Sequence, residues 1–141
     1  MTHGFVRHRP PGWRPAALVT ALVAAALAGA CTPDYGDHDA REAAMLTGGG
    51  DAERGRAAIR RYGCGSCHTI AGVRGADALV GPPLTGIAER AYIAGVVANT
   101  PINLQRWIRD PQGIDPRTAM PTLGVTAPEA RDIAAYLYAL H

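Results

Sequence analysis

The strongest hydrophobic periodicity lies near the end of the chain. Ala130, Ile133, Leu137 and Leu140 recur at helical spacing, with Tyr136 on the flank of their face. Before them, Thr126-Ala127-Pro128-Glu129 has the form of a capping box, in which threonine and glutamate satisfy each other's backbone N–H groups. A second stripe, Leu104, Trp107 and Ile108, leaves Gln105, Arg106 and Arg109 outside it. Thr100-Pro101 supplies its cap and first-turn proline, and Asp110-Pro111 its stop. A third helix is predicted from Asp51, as cap, to about Tyr62, with Glu53 in its first turn. Gly55 and Ile59 lie four apart on one face of it, with Ala52 and Tyr62 beside them. A glycine inside a helix costs about 1 kcal/mol against alanine, so Gly55 is expected where another helix comes close. Gly63 ends the segment. Glycine and proline crowd Gly72, Gly75 and Gly81-Pro82-Pro83, and again Gln112–Val125, marking two loops. A short helix near Leu84, including Ile87 and Ala88, interrupts the first. No period-two apolar run is long enough for a core strand. The fold class is all-α.

The first fifty residues follow different rules. Arg7, Arg9 and Arg14 occur with no acid among them, and Ala16–Ala28 is apolar apart from Thr20. A basic start followed by a short apolar run reads as a secretory signal over residues 1–30; the run is short for a bilayer span. That segment holds no Arg-Arg pair, which favours export of an unfolded chain. The stretch Leu27-Ala28-Gly29-Ala30-Cys31 resembles a bacterial lipoprotein cleavage site, which implies acylation of Cys31 and a lipid anchor on the outer side of a bacterial membrane. The alternative is ordinary cleavage nearby that leaves Cys31 as a stray thiol, a liability in an oxidising compartment. Residues 31–50 are polar and acidic (Asp34, Asp37, Asp39, Glu42) and end in three glycines. They read as a flexible tether, with a short helix at Asp39–Leu46 as its one element. The folded domain is then 51–141. The net charge of +2 over 141 residues, with arginine as the only formal cation, gives no reason to expect a nucleic-acid partner.

The chemistry centres on Cys64-Gly65-Ser66-Cys67-His68. Two thiols three residues apart, followed at once by histidine, form the c-type haem attachment signature. The sulfurs add to the porphyrin edge and the imidazole sits beneath the iron. A zinc site needs two further ligands, and a thioredoxin-like site needs a βαβ pattern; neither is in view. Beyond the signal there is no phenylalanine and a single tryptophan. So lean a core usually needs a staple, and one covalently held haem c would supply a large apolar body. For the sixth ligand the candidate in range is Met120, beside Pro121 in the second loop and away from any apolar stripe. A thioether favours ferrous iron and suits electron transfer, whereas core filling is the alternative role for a methionine.

Cys64–His68, Gly81-Pro82-Pro83-Leu84, Leu104–Ile108, Asp110-Pro111, Met120-Pro121 and Tyr136-Leu137 stand in the order found in class I cytochromes c. The resemblance covers roughly Gly55–Leu140. More narrowly, Cys67–Ile70, Gly81–Gly86, Ala94-Gly95, Asn99-Thr100 and Trp107–Pro111 resemble the haem domain fused to subunit II of bacterial caa-type cytochrome oxidases. The copper-binding half of that subunit has no counterpart in this sequence. The resemblance implies a small class I cytochrome c fold and an electron carrier rather than an enzyme, with no small-molecule substrate. Redox proteins would be its partners: a terminal oxidase, or alternatively a dehydrogenase or reductase complex in which it is the haem subunit. It further implies that the Pro82 carbonyl accepts the Nδ1 hydrogen of His68 and that Leu84 packs on the porphyrin. Trp107 would donate to a propionate, Arg90 would compensate propionate charge, and Gly55 and Tyr136 would mark a helix crossing. Ile59 stands where the family often has an aromatic side chain. Arg60, Arg61 and Arg74, near the motif in sequence, are candidates for steering an acidic partner.

Overall fold

A computed structural model of the chain describes residues 35–140. The expected export signal, Cys31 and His141 lie outside the described residues. The helices are α1 (Tyr35–Leu46), α2 (Ala52–Arg61), α3 (Pro101–Arg109), α4 (Pro111–Ile114) and α5 (Ala127–Tyr138). Two 3-10 turns, Cys64–Ser66 and Ile87–Glu89, lie in the first long loop. A minimal antiparallel ladder joins β1 (Tyr92–Ile93) to β2 (Val97–Ala98), pairing Tyr92 with Ala98 and Ile93 with Val97. This is a mostly helical arrangement consistent with a small class I cytochrome c fold. Among the described residues no helix is long and apolar enough to cross a membrane.

The helices α2 to α5 each begin where their capping chemistry dictates. Asp51 accepts from the Arg54 N–H, Thr100 from Asn103, and Thr126 with Glu129 forms the reciprocal box at α5. Asp110 caps twice: its N–H closes α3, and its carboxylate accepts from Gly113 to start α4. The second loop therefore opens with one helical turn.

The closest helix packing is α2 against α5. It depends on Gly55, where an added Cβ would sit 2.0 Å from the backbone oxygen of Asp132. The contact falls one helical turn before Tyr136, the residue expected at the crossing. Asp132 fastens the same crossing: its carboxylate accepts from Arg54 Nε at 2.8 Å, from Arg54 Nη2 at 3.0 Å and from the Asp51 N–H at 2.8 Å. Those bonds hold the carboxyl below its ordinary pKa, the guanidinium of Arg54 first among the causes. Ile59, Leu104, Trp107, Ile108, Ile133 and Leu137 fill one core between α2, α3 and α5. Burial of each large aliphatic side chain contributes about 1.5–3 kcal/mol.

From Tyr35 onward the tether expectation gives way to a folded element. α1 runs four residues further back than the short helix expected and packs on α5, with Ala43 only 1% exposed. The three glycines after it form a structured turn. Gly48 and Gly49 take left-handed backbone angles (φ 78 and 91), and their N–H groups bond to Met45 and Ala44. Gly50 is buried where a Cβ would meet the Arg131 carbonyl at 2.5 Å and Ala135 Cβ at 2.8 Å. Close approach, not flexibility, is what that glycine supplies.

Candidate functional site

The cysteine motif sits at the exit of α2. Tyr62 ends the helix, Gly63 turns through a left-handed conformation (φ 70), and the 3-10 turn Cys64–Ser66 follows at once. The N–H groups of Cys67 and His68 both donate to the Cys64 carbonyl, at 3.2 and 3.1 Å. One tight turn thus carries both thiols and the imidazole. Cys64 and Cys67 are free thiols, each half-buried; burial pushes the Cys64 thiol up. Gly65, between them, presses on the following loop, since a Cβ there would lie 2.8 Å from that of Ala76.

That loop is closed at its base by hydrogen bonds between its two ends. Gly81 N–H donates to Cys67 O at 2.7 Å, Leu84 N–H to Thr69 O at 2.9 Å, and the Thr69 hydroxyl to Ala78 O at 3.0 Å. Ile70, Val73 and Ala76 are buried beneath it, and the Tyr136 hydroxyl reaches over from α5 to Ala71 O at 2.7 Å. The closure brings Pro82 to His68: the imidazole Nδ1 lies 2.7 Å from the Pro82 carbonyl oxygen. A carbonyl can only accept, so Nδ1 carries the hydrogen. Gly81 makes the approach feasible. A Cβ at that position would stand 2.4 Å from His68 Cε1 and 2.6 Å from Nδ1.

Other candidate residues gather at the margin of the same core. Cys64, Leu84 and Met120 are partly buried and pack against it, and Trp107 lies within it. Met120 is held in its loop by the bond from its N–H to the Thr118 hydroxyl, 3.2 Å. Arg90 is bonded to backbone carbonyls. Its Nη2 donates to the carbonyls of Pro83 and Thr85, in the loop that supports His68. Arg60 and Arg74 are exposed. Arg61 is not a free cation, because it pairs with Glu129 and lies 5.3 Å over the Tyr62 ring. Glu129 also accepts from the Thr126 and Tyr62 hydroxyls, and its pKa falls from 4.5 to about 2, the Thr126 bond first among the causes. Sequence reading missed Asn99 and Tyr138 as organisers and read Glu129 as a capping residue alone, because their other bonds join positions 9 to 68 residues apart and leave no local pattern.

Two free thiols and an imidazole whose Nδ1 hydrogen is accepted by the Pro82 carbonyl, with a half-buried thioether on the same core, are donors of the kind that fit a haem held through sulfur. Among the described residues, no three of His, Cys, Asp and Glu cluster so as to hold a bare metal ion.

A family model described as cytochrome c matches residues 52–141. The chain is 36% identical over 90 residues to cytochrome c oxidase subunit 2 of Alkalihalophilus pseudofirmus, covering 63% of this chain and 25% of that protein. It is 32% identical over 65 residues to cytochrome c oxidase subunit 2 of Bacillus sp. (strain PS3), covering 45% of this chain and 18% of that protein. The chain therefore spans no more than about a quarter of the length of these curated relatives. No solved structure gives a significant match.

Proposed function

The chain belongs to the cytochrome c family, and from that premise we propose that it is a membrane-tethered monohaem cytochrome c passing single electrons to, or within, a terminal oxidase. The family carries electrons and is not catalytic, and the paired cysteines within the matched region are consistent with covalent attachment of haem c. In this reading Cys64 and Cys67 would hold the group through their sulfurs, and His68 and Met120 would supply the side chains that ligate its iron. When bound, the haem supplies an iron that alternates between ferric and ferrous.

The remaining work falls to the chain's own residues. Pro82 fixes the plane and tautomer of His68 and raises the basicity of Nε2. Gly81 lets the backbone lie against the imidazole. Leu84 and Trp107, packed in or against the core, would keep water from the group, and the Trp107 indole N–H would be the donor for a propionate. Arg60 and Arg74, exposed and close to the motif in sequence, favour an acidic partner surface. Residues 1–30 are proposed as the export signal, with an acylated Cys31 as the anchor and residues 31–34 as the link to the folded part. This places the domain at the outer face of a bacterial membrane. The matched relatives are oxidase subunits, which favours an oxidase as partner over a dehydrogenase or reductase complex.

The observation that carries the reading is the 2.7 Å approach of His68 Nδ1 to the Pro82 carbonyl beside two free thiols. The test is Met120→Ala in protein made with haem-installing machinery. Haem stays covalently attached, the midpoint potential falls, and the ferrous protein gains carbon monoxide binding. A variant that excludes carbon monoxide as the parent does would remove Met120 from the account.

A further inference from the structure

Asn99 lies half-buried just after β2 and engages its whole side-chain amide. The Nδ2 group donates to the carbonyls of Ile87 at 2.6 Å and Arg90 at 2.9 Å, and Oδ1 accepts the Tyr138 hydroxyl at 2.8 Å. Its orientation follows from its partners. Two carbonyls face one end of the amide and can only accept, so the NH2 must point at them. Ile87 opens the second 3-10 turn and Arg90 closes it, so one side chain holds both ends. From that turn Arg90 reaches back to the carbonyls of Pro83 and Thr85. Pro83 directly follows Pro82, whose carbonyl is the acceptor for His68. A continuous series of hydrogen bonds therefore runs from Tyr138 on α5, through Asn99 and Arg90, to the loop beneath the imidazole.

We propose that Asn99 is a positioning residue for His68: acting through Arg90, it holds the Pro82 carbonyl in place and so couples the terminal helix to the strength of the His68–Pro82 bond. None of the three residues needs to touch a haem for this. A firm acceptor at Nδ1 raises electron donation at Nε2 and favours ferric iron. Slackening the strap should therefore raise the midpoint potential. That consequence rests on His68 being the axial ligand; the coupling to the Pro82 bond does not.

The test uses the haem-loaded protein with Tyr138→Phe, Asn99→Ala and Arg90→Lys. Loss of one buried hydrogen bond is worth roughly a five-fold change in a local opening equilibrium. The His68 Nδ1 proton, followed by NMR, is thus expected to exchange about five-fold faster in Tyr138→Phe, and faster still in Asn99→Ala. The potential moves upward in both, with no change of charge. Because the two residues act in series, the double variant should be no worse than Asn99→Ala alone. Arg90→Lys keeps the charge, so a role in propionate compensation predicts little change, whereas the strap predicts the same upward direction. If Asn99→Ala does not accumulate, Tyr138→Phe carries the test, since it removes one oxygen and keeps the buried ring. Variants that lower the melting temperature but leave both proton exchange and potential at parental values would overturn the proposal. A protein without covalent haem would instead undo the proposed function, and the proton-exchange prediction would still stand to be met or missed.

Discussion

Gly81→Ala probes the site with the smallest change available. The backbone at Gly81 is not in the left-handed region, so alanine meets no conformational penalty there, and its effect is steric. Ordinary carbon–carbon contact begins near 3.4 Å, and the new Cβ would stand 2.4 Å from His68 Cε1, so about 1 Å must be found. The ring cannot give way without loosening the 2.7 Å bond to Pro82, and the loop cannot give way without loosening the 2.7 Å bond from Gly81 to Cys67. Overpacking of this kind costs about 1–3 kcal/mol, and the weakened hydrogen bond about 1 more. Reduced freedom of the unfolded chain returns about 0.4–1 kcal/mol. The net is about 2 kcal/mol, on the order of 10 °C in melting temperature for a domain of this size. Gly75→Ala is the control, because it carries backbone strain (φ 76) with nothing within 4 Å of the new Cβ. Thermal unfolding gives the stability, and the NMR signal of the His68 Nδ1 proton gives the local effect. Gly81→Ala is expected to move both, Gly75→Ala only the first. An unshifted His68 proton in a Gly81→Ala protein of parental stability would refute the packing argument.

Three further outcomes follow from the geometry. Gly55→Ala should destabilise the fold by about 1–3 kcal/mol despite alanine's better helix propensity, because its Cβ meets backbone rather than a movable side chain; denaturant unfolding with a parental midpoint would contradict this. Glu129 has a pKa of about 2 against an ordinary 4.5, so between those values the unfolded chain binds more protons than the folded one. Its contribution is therefore complete above about pH 4.5 and lost as pH falls toward 2, and Glu129→Gln should flatten that part of a stability–pH curve; an unchanged slope would count against it. Cys31→Ser should release the exported protein from membranes, since stable anchoring needs the acyl chains; retention in the membrane fraction would remove the lipid anchor.

The legible parts of this fold are those whose cause is local. Thr126 and Glu129 announce α5, Thr100-Pro101 announces α3, and the five residues from Cys64 to His68 carry their chemistry in their spacing. α1 is legible only in part, as the short helix at Asp39–Leu46, and its docking is not: what buries it is Ala43, a small side chain that makes no apolar stripe, followed by glycines that look like linker. The ladder of β1 and β2 has two residues per strand, too few for alternation to register, and turns through Ala94 and Gly95 at φ 50 and 75. Arg90 was legible as a residue near the site but not in its engagement, because its partners are backbone carbonyls. Carbonyl acceptors have no side-chain identity for a sequence to display.

The attachment of haem by two sulfurs is tested most directly by mass. Protein produced with haem-installing machinery, fully denatured and weighed, should carry one haem per chain that survives unfolding. Cys64→Ser and Cys67→Ser together should abolish the added mass. A colourless chain of unmodified mass, or a haem released on denaturation, would contradict the account.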